Sequence, residues 1–143
     1  MLSLVIPVYR NEASLPELLD ALRGLHQALK GGLEVVFVVD GSPDRCHELL
    51  RERLPATGLT ATLVLLTRNF GSFSAVRMGL AEGRGDSFAV MAADLQEPPA
   101  LVLRMQDILA RDGADVVVAE RTLRHDPLLQ RWQARVFWAL YRR

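Results

Sequence analysis

Asp94 and Gln96 stand two residues apart in Ala93-Asp94-Leu95-Gln96-Glu97-Pro98-Pro99. On a turn, that spacing lets a carboxylate and an amide face one crevice. Magnesium typically takes one or two carboxylates and completes its shell with water and substrate phosphates. Asp94 and Gln96 are therefore candidate ligands for Mg²⁺ or Mn²⁺, and such a cation would neutralise charge on a leaving diphosphate. The plainer reading is that both residues merely precede the helix opened by Pro98-Pro99. Other residues suit a nucleotide. Tyr9 offers a ring to a base, and Glu12 and Asp40 accept hydrogen bonds from ribose hydroxyls or base N–H groups. Asp40-Gly41-Ser42-Pro43 also reads as an ordinary turn with a helix cap.

The elements around these residues alternate. Apolar runs at Leu2–Val8, Leu33–Val39, 61–66, 87–91 and 114–119 predict five strands. Their continuous apolar character is that of a parallel sheet covered on both faces, an α/β fold. Ser14-Leu15-Pro16-Glu17 has the form of a capping box. Leu15, Leu18, Leu19, Leu22, Leu25 and Leu29 follow at helical spacing, and Gly31-Gly32 stops the helix. Ser42-Pro43 predicts the start of a second helix, residues 74–82 a third, and Pro98-Pro99 a fourth. In an open parallel sheet, ligands bind beyond the carboxyl ends of the strands. Tyr9 to Glu12, Asp40 to Ser42, Arg68 to Gly71, Asp94 to Gln96 and Glu120-Arg121 all fall there.

Four of these segments carry a resemblance. Leu4-Val5-Ile6-Pro7-Val8-Tyr9-Arg10-Asn11-Glu12 resembles the opening strand of family 2 glycosyltransferases, and Val38-Val39-Asp40-Gly41-Ser42-Pro43-Asp44 resembles that family's acidic turn. Arg68-Asn69-Phe70-Gly71 and Asp94-Leu95-Gln96-Glu97-Pro98-Pro99 are similar to signatures of its polyprenyl-phosphate branch. The arginine-rich stretch from Arg121 to Arg131 is similar as well. The motifs occur in order along the whole chain, which makes the set far more specific than any one of them.

The resemblance implies a GT-A fold, with a Rossmann-like half that binds a nucleotide sugar and further acceptor-side elements beyond Arg143. It implies an inverting transfer from a nucleotide-diphosphate sugar, on family grounds a UDP-sugar, to a polyprenyl phosphate at a membrane surface. It places Pro7, Tyr9, Glu12, Asp40, Ser42 and Asn69 at the nucleotide, and Asp94 and Gln96 at a divalent cation. Arg121, Arg124 and Arg131 would hold the acceptor phosphate, because guanidinium forks match phosphate oxygens. Solvated arginines are the plainer reading of those three. No general base stands out among His26, His47 and His125. A phosphate monoester with a second pKa near 6 does not need one at neutral pH. Two positions depart from the family pattern: Ala92 and Val39 stand where acidic residues are common, so the site has fewer carboxylates.

Composition bounds the rest. The chain has 143 residues, enough for one domain, with 17 basic and 17 acidic side chains. That balance argues against a nucleic-acid partner. Residues 121–143 nonetheless hold six arginines and one acid, Asp126. Leu128, Leu129, Trp132, Val136, Phe137, Leu140 and Tyr141 share one helical face there. Two units are therefore expected, a nucleotide-sugar-binding domain over 1–127 and a basic amphipathic helix over 128–143. That helix lies in a membrane interface or packs as an ordinary last helix.

Cys46 is the lone cysteine, which suits a reducing compartment. No signal peptide or membrane-spanning run is read, so the expected place is the cytoplasmic face of a membrane. Missing GxGxxG, GxxxxGK[ST] and GxSxG patterns exclude the common dinucleotide, P-loop and hydrolase readings. Three alternatives remain: a family 2 enzyme with a soluble or polysaccharide acceptor, an inactive nucleotide-binding fragment, and a scaffold. A homo-oligomer stays open.

Overall fold

The computed structural model describes residues 1–120. Its two central strands, β1 (Leu2–Val8) and β2 (Leu33–Val39), are the longest and most apolar, and every β2 residue is buried. β3 (Thr60–Leu65) pairs with β2, and β4 (Ser87–Val90) pairs with β1. All three pairings are parallel, and the strand order is β3-β2-β1-β4. The expected α/β architecture with a parallel sheet is present. Four strands form among the described residues, not five. Residues 114–119 are irregular, with Val116 and Val118 exposed. A strand needs a partner about 4.8 Å away. Here a cavity of about 1,020 Å³ is lined by both the segment and β4, and among the described residues the apolar run pairs with no strand.

Side-chain alternation along the strands sorts the core into two layers. Leu2, Leu4, Ile6 and Val8 of β1 pack with Leu33, Val35, Phe37 and Val39 of β2 on one face. α1 (Leu15–Ala28) covers that face with Leu15, Leu18, Leu19, Leu22 and Leu25, all buried, as the leucine spacing predicts. Each such leucine contributes about 1.5–3 kcal/mol on burial. α2 (Cys46–Arg53) and α4 (Ala100–Asp112) complete the layer through Cys46, Leu50 and Val102. The opposite face is thinner: Val5, Val36 and Val38 meet Ala75 of α3 (Ser72–Glu82).

Two helix starts differ from expectation. Ser14 occupies the N-cap of α1, but its hydroxyl does not cap the helix. It donates instead to the Asn11 and Ala93 carbonyls, at 3.1 and 2.9 Å, tying the end of β1 to the turn after β4. α2 begins at Cys46 rather than Ser42, because Ser42 and Asp44 are spent on a turn. The Ser42 hydroxyl donates to Asp44 Oδ1 at 2.6 Å, and Asp44 Oδ1 accepts the Cys46 amide at 3.3 Å.

A buried polar knot locks the opposite end of the sheet. Ser3 Oγ donates to Glu34 Oε2 at 2.6 Å, and the Arg84 amide donates to the same oxygen at 2.8 Å. Burial pushes the Glu34 carboxyl up, but the Ser3 hydroxyl, the Arg84 amide and the Arg84 charge outweigh it and leave it below its ordinary value. A carboxylate with a depressed folded pKa stabilises the fold above its unfolded pKa, and that stability is lost as pH falls through the folded value. Melting temperature should therefore hold down to about pH 5 and fall below roughly pH 4. Glu34→Gln should flatten that fall and lower the melting temperature near neutrality by about 3–6 °C. An acid slope identical in the variant would remove Glu34 from this account.

Candidate functional site

The strand order reverses at β1: β2 and β3 lie to one side of it and β4 to the other. In open parallel sheets the ligand crevice forms at such a switch point, beyond the carboxyl ends of the strands. A crevice of about 330 Å³ sits there. One wall is the end of β1, with Pro7, Val8, Tyr9 and Asn11. A second is the turn after β4, with Ala92, Ala93 and Asp94. Asp40, Asn69, Gly71 and Ser72 close the remaining side, where β2 ends and α3 begins.

The turns that build these walls share a backbone device. Each strand end carries a residue in the left-handed region: Arg10 at φ 57°, Gly41 at 56°, Gly71 at 91° and Leu95 at 57°. The two non-glycine residues store roughly 1–3 kcal/mol of strain apiece, which neighbouring hydrogen bonds must offset. The Arg10 amide donates to Ser42 Oγ at 2.8 Å, and the Tyr9 amide to Asn11 Oδ1 at 3.0 Å. The Gln96 amide donates to Asp94 Oδ1 at 3.3 Å. Asn69 repeats that last pattern, accepting the Gly71 amide at 3.0 Å. Asp94-x-Gln96 and Asn69-x-Gly71 are thus two copies of one side-chain-to-backbone turn.

Of the six residues expected at a nucleotide, Pro7, Tyr9, Asp40 and Asn69 line the crevice. Tyr9 keeps 39% of its surface exposed, and the Arg10 guanidinium lies 5.4 Å from its ring centroid. Arg68 stands 4.7 Å from the Phe70 ring. Two arginine–aromatic pairs thus form in these loops, each a cation near a π-face, and of the four residues Tyr9 lines the crevice. Glu12 and Ser42 do not line the crevice. Glu12 Oε2 accepts the Arg45 amide at 3.0 Å, and the Glu12 amide donates to Asp44 Oδ2 at 3.2 Å. Both residues knit the loop after β1 to the loop after β2.

Asp44, which carries no role in the sequence reading, is the hub of that network. Burial raises its pKa, but the Ser42 hydroxyl, the Cys46 side chain and two amides outweigh it, so the carboxyl sits below its ordinary value. Beside it, burial pushes the Cys46 thiol up to about 11, reinforced by Asp44. The thiol is thus protonated at neutral pH and serves as packing, not as a nucleophile.

Asp94 is exposed and faces the crevice, and Gln96 Nε2 donates to its Oδ2 at 2.8 Å. The two side chains bond to each other, but only Asp94 lines the crevice; Gln96, expected to face it as well, is not among the lining residues. Among the described residues no group of three histidine, cysteine or acidic side chains could hold a metal ion. The donor set is one carboxylate and one amide, which fits a hard cation that keeps waters and takes substrate oxygens. Arg121, Arg124 and Arg131, and the helix expected over 128–143, lie outside the described residues.

Comparison with known proteins returns a consistent set. The family model described as "Glycosyl transferase family 2" matches residues 3–143. The undecaprenyl-phosphate 4-deoxy-4-formamido-L-arabinose transferase of Pseudomonas paraeruginosa (strain DSM 24068 / PA7) is 40% identical over 136 residues, covering 95% of this chain and 40% of the relative. The enzyme of the same name from Aeromonas hydrophila subsp. hydrophila is 39% identical over 126 residues, covering 88% and 38%. The chain spans about two fifths of the length of these curated relatives. Among solved structures, S. aureus TarS 1-349 in complex with UDP-GlcNAc superposes with a TM-score of 0.68 at 20% identity, over 88% of this chain and 36% of TarS. At that identity the likeness speaks for the fold.

Proposed function

Because this chain belongs to glycosyl transferase family 2, we propose that it is the donor-binding part of an inverting transferase that moves a sugar from a UDP-sugar to a polyprenyl phosphate. One observation carries the donor half of the reading. Tyr9, Asn69 and Asp94, from three separate strand-end segments, line a single crevice at the switch point of a parallel sheet. The names of the relatives support the acceptor half, since both transferases are named for undecaprenyl phosphate. The TarS complex with UDP-GlcNAc supports a uridine donor on the same fold.

The chemistry follows from the groups present. Tyr9 takes the base, and Pro7 and Asn69 border the ribose. Asp94 and Gln96 would hold Mg²⁺ or Mn²⁺, and such a cation would offset charge on the departing diphosphate. An oxygen of the acceptor phosphate forms a bond to the anomeric carbon as the bond from that carbon to the diphosphate oxygen breaks, with inversion. The nucleoside diphosphate leaves with the electron pair. The acceptor is largely dianionic at neutral pH, so no side chain need remove a proton. Arg121, Arg124 and Arg131 hold it as guanidinium–phosphate pairs. Contact with the cytoplasmic face of a membrane falls to 128–143. No described helix is long and apolar enough to cross one.

Two measurements test this. Calorimetry of the 143-residue chain should show UDP binding that requires Mg²⁺ or Mn²⁺, in the roughly 1 μM–1 mM range usual for enzyme substrates. GDP should bind more weakly. Sugar transfer from labelled UDP-sugars to polyprenyl phosphate then tests catalysis. The chain spans two fifths of its relatives, which favours a second reading in which this segment binds the donor without transferring it. Metal-dependent UDP binding without transfer selects that reading. No UDP binding with either cation overturns both.

A further inference from the structure

Asp40 is a carboxylate at the end of β2 with only 3% of its surface exposed. Oδ1 accepts the Phe70 amide at 2.8 Å, and Oδ2 accepts the Gly71 amide at 2.9 Å. One side chain thus takes two successive backbone donors from a loop thirty residues away. Charged acceptors make the stronger class of hydrogen bond, and a buried partner left unmatched is costly. The next residue seats the same loop sterically. A Cβ on Gly41 would lie 2.3 Å from the Arg68 carbonyl carbon and 2.5 Å from the Asn69 nitrogen. Carboxylate and glycine therefore fix residues 68–71 from two sides. What they fix matters: Asn69 and Gly71 line the crevice, and Ser72 enters it as the first residue of α3.

We propose that Asp40 is a positioning residue: a buried clamp that sets the 68–71 loop against the crevice, so that its effect on the donor runs through that loop. The consequence for binding rests on the donor-site reading above. The clamp itself can be tested without it.

Asp40→Asn keeps one acceptor oxygen, now neutral, and turns an NH₂ donor toward the other amide, so one bond loses its charge assistance and the other becomes a donor–donor clash. Arg68 is exposed and offers a tryptic site within the clamped loop. Limited trypsin digestion of the native chain should cleave after Arg68 at least about tenfold faster in Asp40→Asn, as expected for losing one charge-assisted bond. Cleavage after Arg84, also exposed but in the loop before β4, should stay within about twofold. Gly41→Ala keeps the carboxylate and displaces the loop, so it should reproduce the pattern. The double variant should be no worse than the worse single. In the unaltered chain, the Phe70 and Gly71 amides should exchange with solvent at least roughly tenfold slower than the Asn69 amide. That last measurement stands even if a variant fails to fold.

UDP affinity with Mn²⁺ should weaken by a similar factor in both singles. Weakened UDP binding with wild-type cleavage after Arg68 would mean that Asp40 contacts the nucleotide directly, and the proposal fails. Equal acceleration after Arg68 and Arg84 would mean general support of the fold, and it fails again. If the unaltered chain binds no UDP, the donor-site reading is lost while the cleavage ratio still decides the clamp.

Discussion

Asp94→Ala is expected to abolish the cation-dependent part of UDP affinity while leaving the fold intact. Asp94 is exposed, and the hydrogen bonds described for it come from Gln96 within the same turn. The crevice holds two carboxylates, Asp40 and Asp94, and they are not equivalent. Asp40 is buried, and its oxygens accept two backbone amides of another loop, whereas Asp94 is exposed and accepts only from Gln96 of its own turn among the bonds described. Asp94 is the carboxylate left to meet a cation, and Ala92 stands where a further acid would have shared the load. Removing Asp94 leaves Gln96, a neutral amide that holds a divalent ion weakly on its own. Partners outside a metal's first ligand shell are typically worth 10–100-fold in affinity. Loss of the charged ligand itself should cost at least about a hundredfold.

The check is calorimetry of UDP with and without Mn²⁺. The unaltered chain should show strong dependence on the ion, and Asp94→Ala should show the same weak binding in both conditions. Gln96→Ala should fall between them, since it removes an amide and leaves the charge. Metal-dependent affinity unchanged in Asp94→Ala would take the cation away from this turn.

The strands were legible because their signal is local and redundant. Leu2–Val8 and Leu33–Val39 are apolar on both faces, so no other element satisfies them, and the structure reproduces both ranges. The position of the crevice followed from the strands, because parallel sheets collect polar residues at one edge. Turn geometry was readable only in part. Asp94-x-Gln96 closes on itself, so these two hydrogen bonds lie within three residues of sequence.

What escaped was set by partners far along the chain. Ser14 reads as a helix cap, yet its hydroxyl reaches Ala93, 79 residues away. Glu12 reads as a ligand group, yet it accepts the Arg45 amide. Ser42 reads as a helix start or a nucleotide contact, yet it braces Arg10 in a left-handed conformation. In each case the residue type was right for hydrogen bonding, and only the tertiary fold decided which partner it met. The fifth strand expected at 114–119 does not form for a related reason: apolar sequence proposes a strand, but a paired neighbour makes one, and among the described residues this run has none.

Gly79→Ala should destabilise the protein, against the usual trend for a helical glycine. In an exposed helix interior, alanine is favoured over glycine by about 1 kcal/mol. Gly24 in α1 is exposed, and a Cβ there would meet nothing within 4 Å, so Gly24→Ala should stabilise by roughly 0.5–1 kcal/mol. Gly79 faces the sheet. A Cβ there would lie 2.2 Å from Val5 Cγ1, with Val5 Cγ2 and Val38 Cγ2 at 3.2 and 3.3 Å. Both valines are fully buried on the central strands and have little room to turn aside. Ala75 lies one helical turn earlier on the same face, so α3 reaches the sheet through two small residues at i and i+4 spacing.

Overpacking such a contact typically costs about 1–3 kcal/mol, which outweighs the helical gain. Gly79→Ala should therefore lower the melting temperature by about 3–10 °C, and Gly79→Val by more. Lifting α3 also lifts Ser72, so UDP affinity should drop alongside stability. Val5→Ala supplies the decisive control. It leaves a cavity by itself, but combined with Gly79→Ala the two changes fill each other's space, and their costs should fall short of additive by more than about 1 kcal/mol. If Gly79→Ala raises the melting temperature as Gly24→Ala does, α3 does not sit this close to Val5, and the crevice wall that begins at Ser72 must be drawn elsewhere.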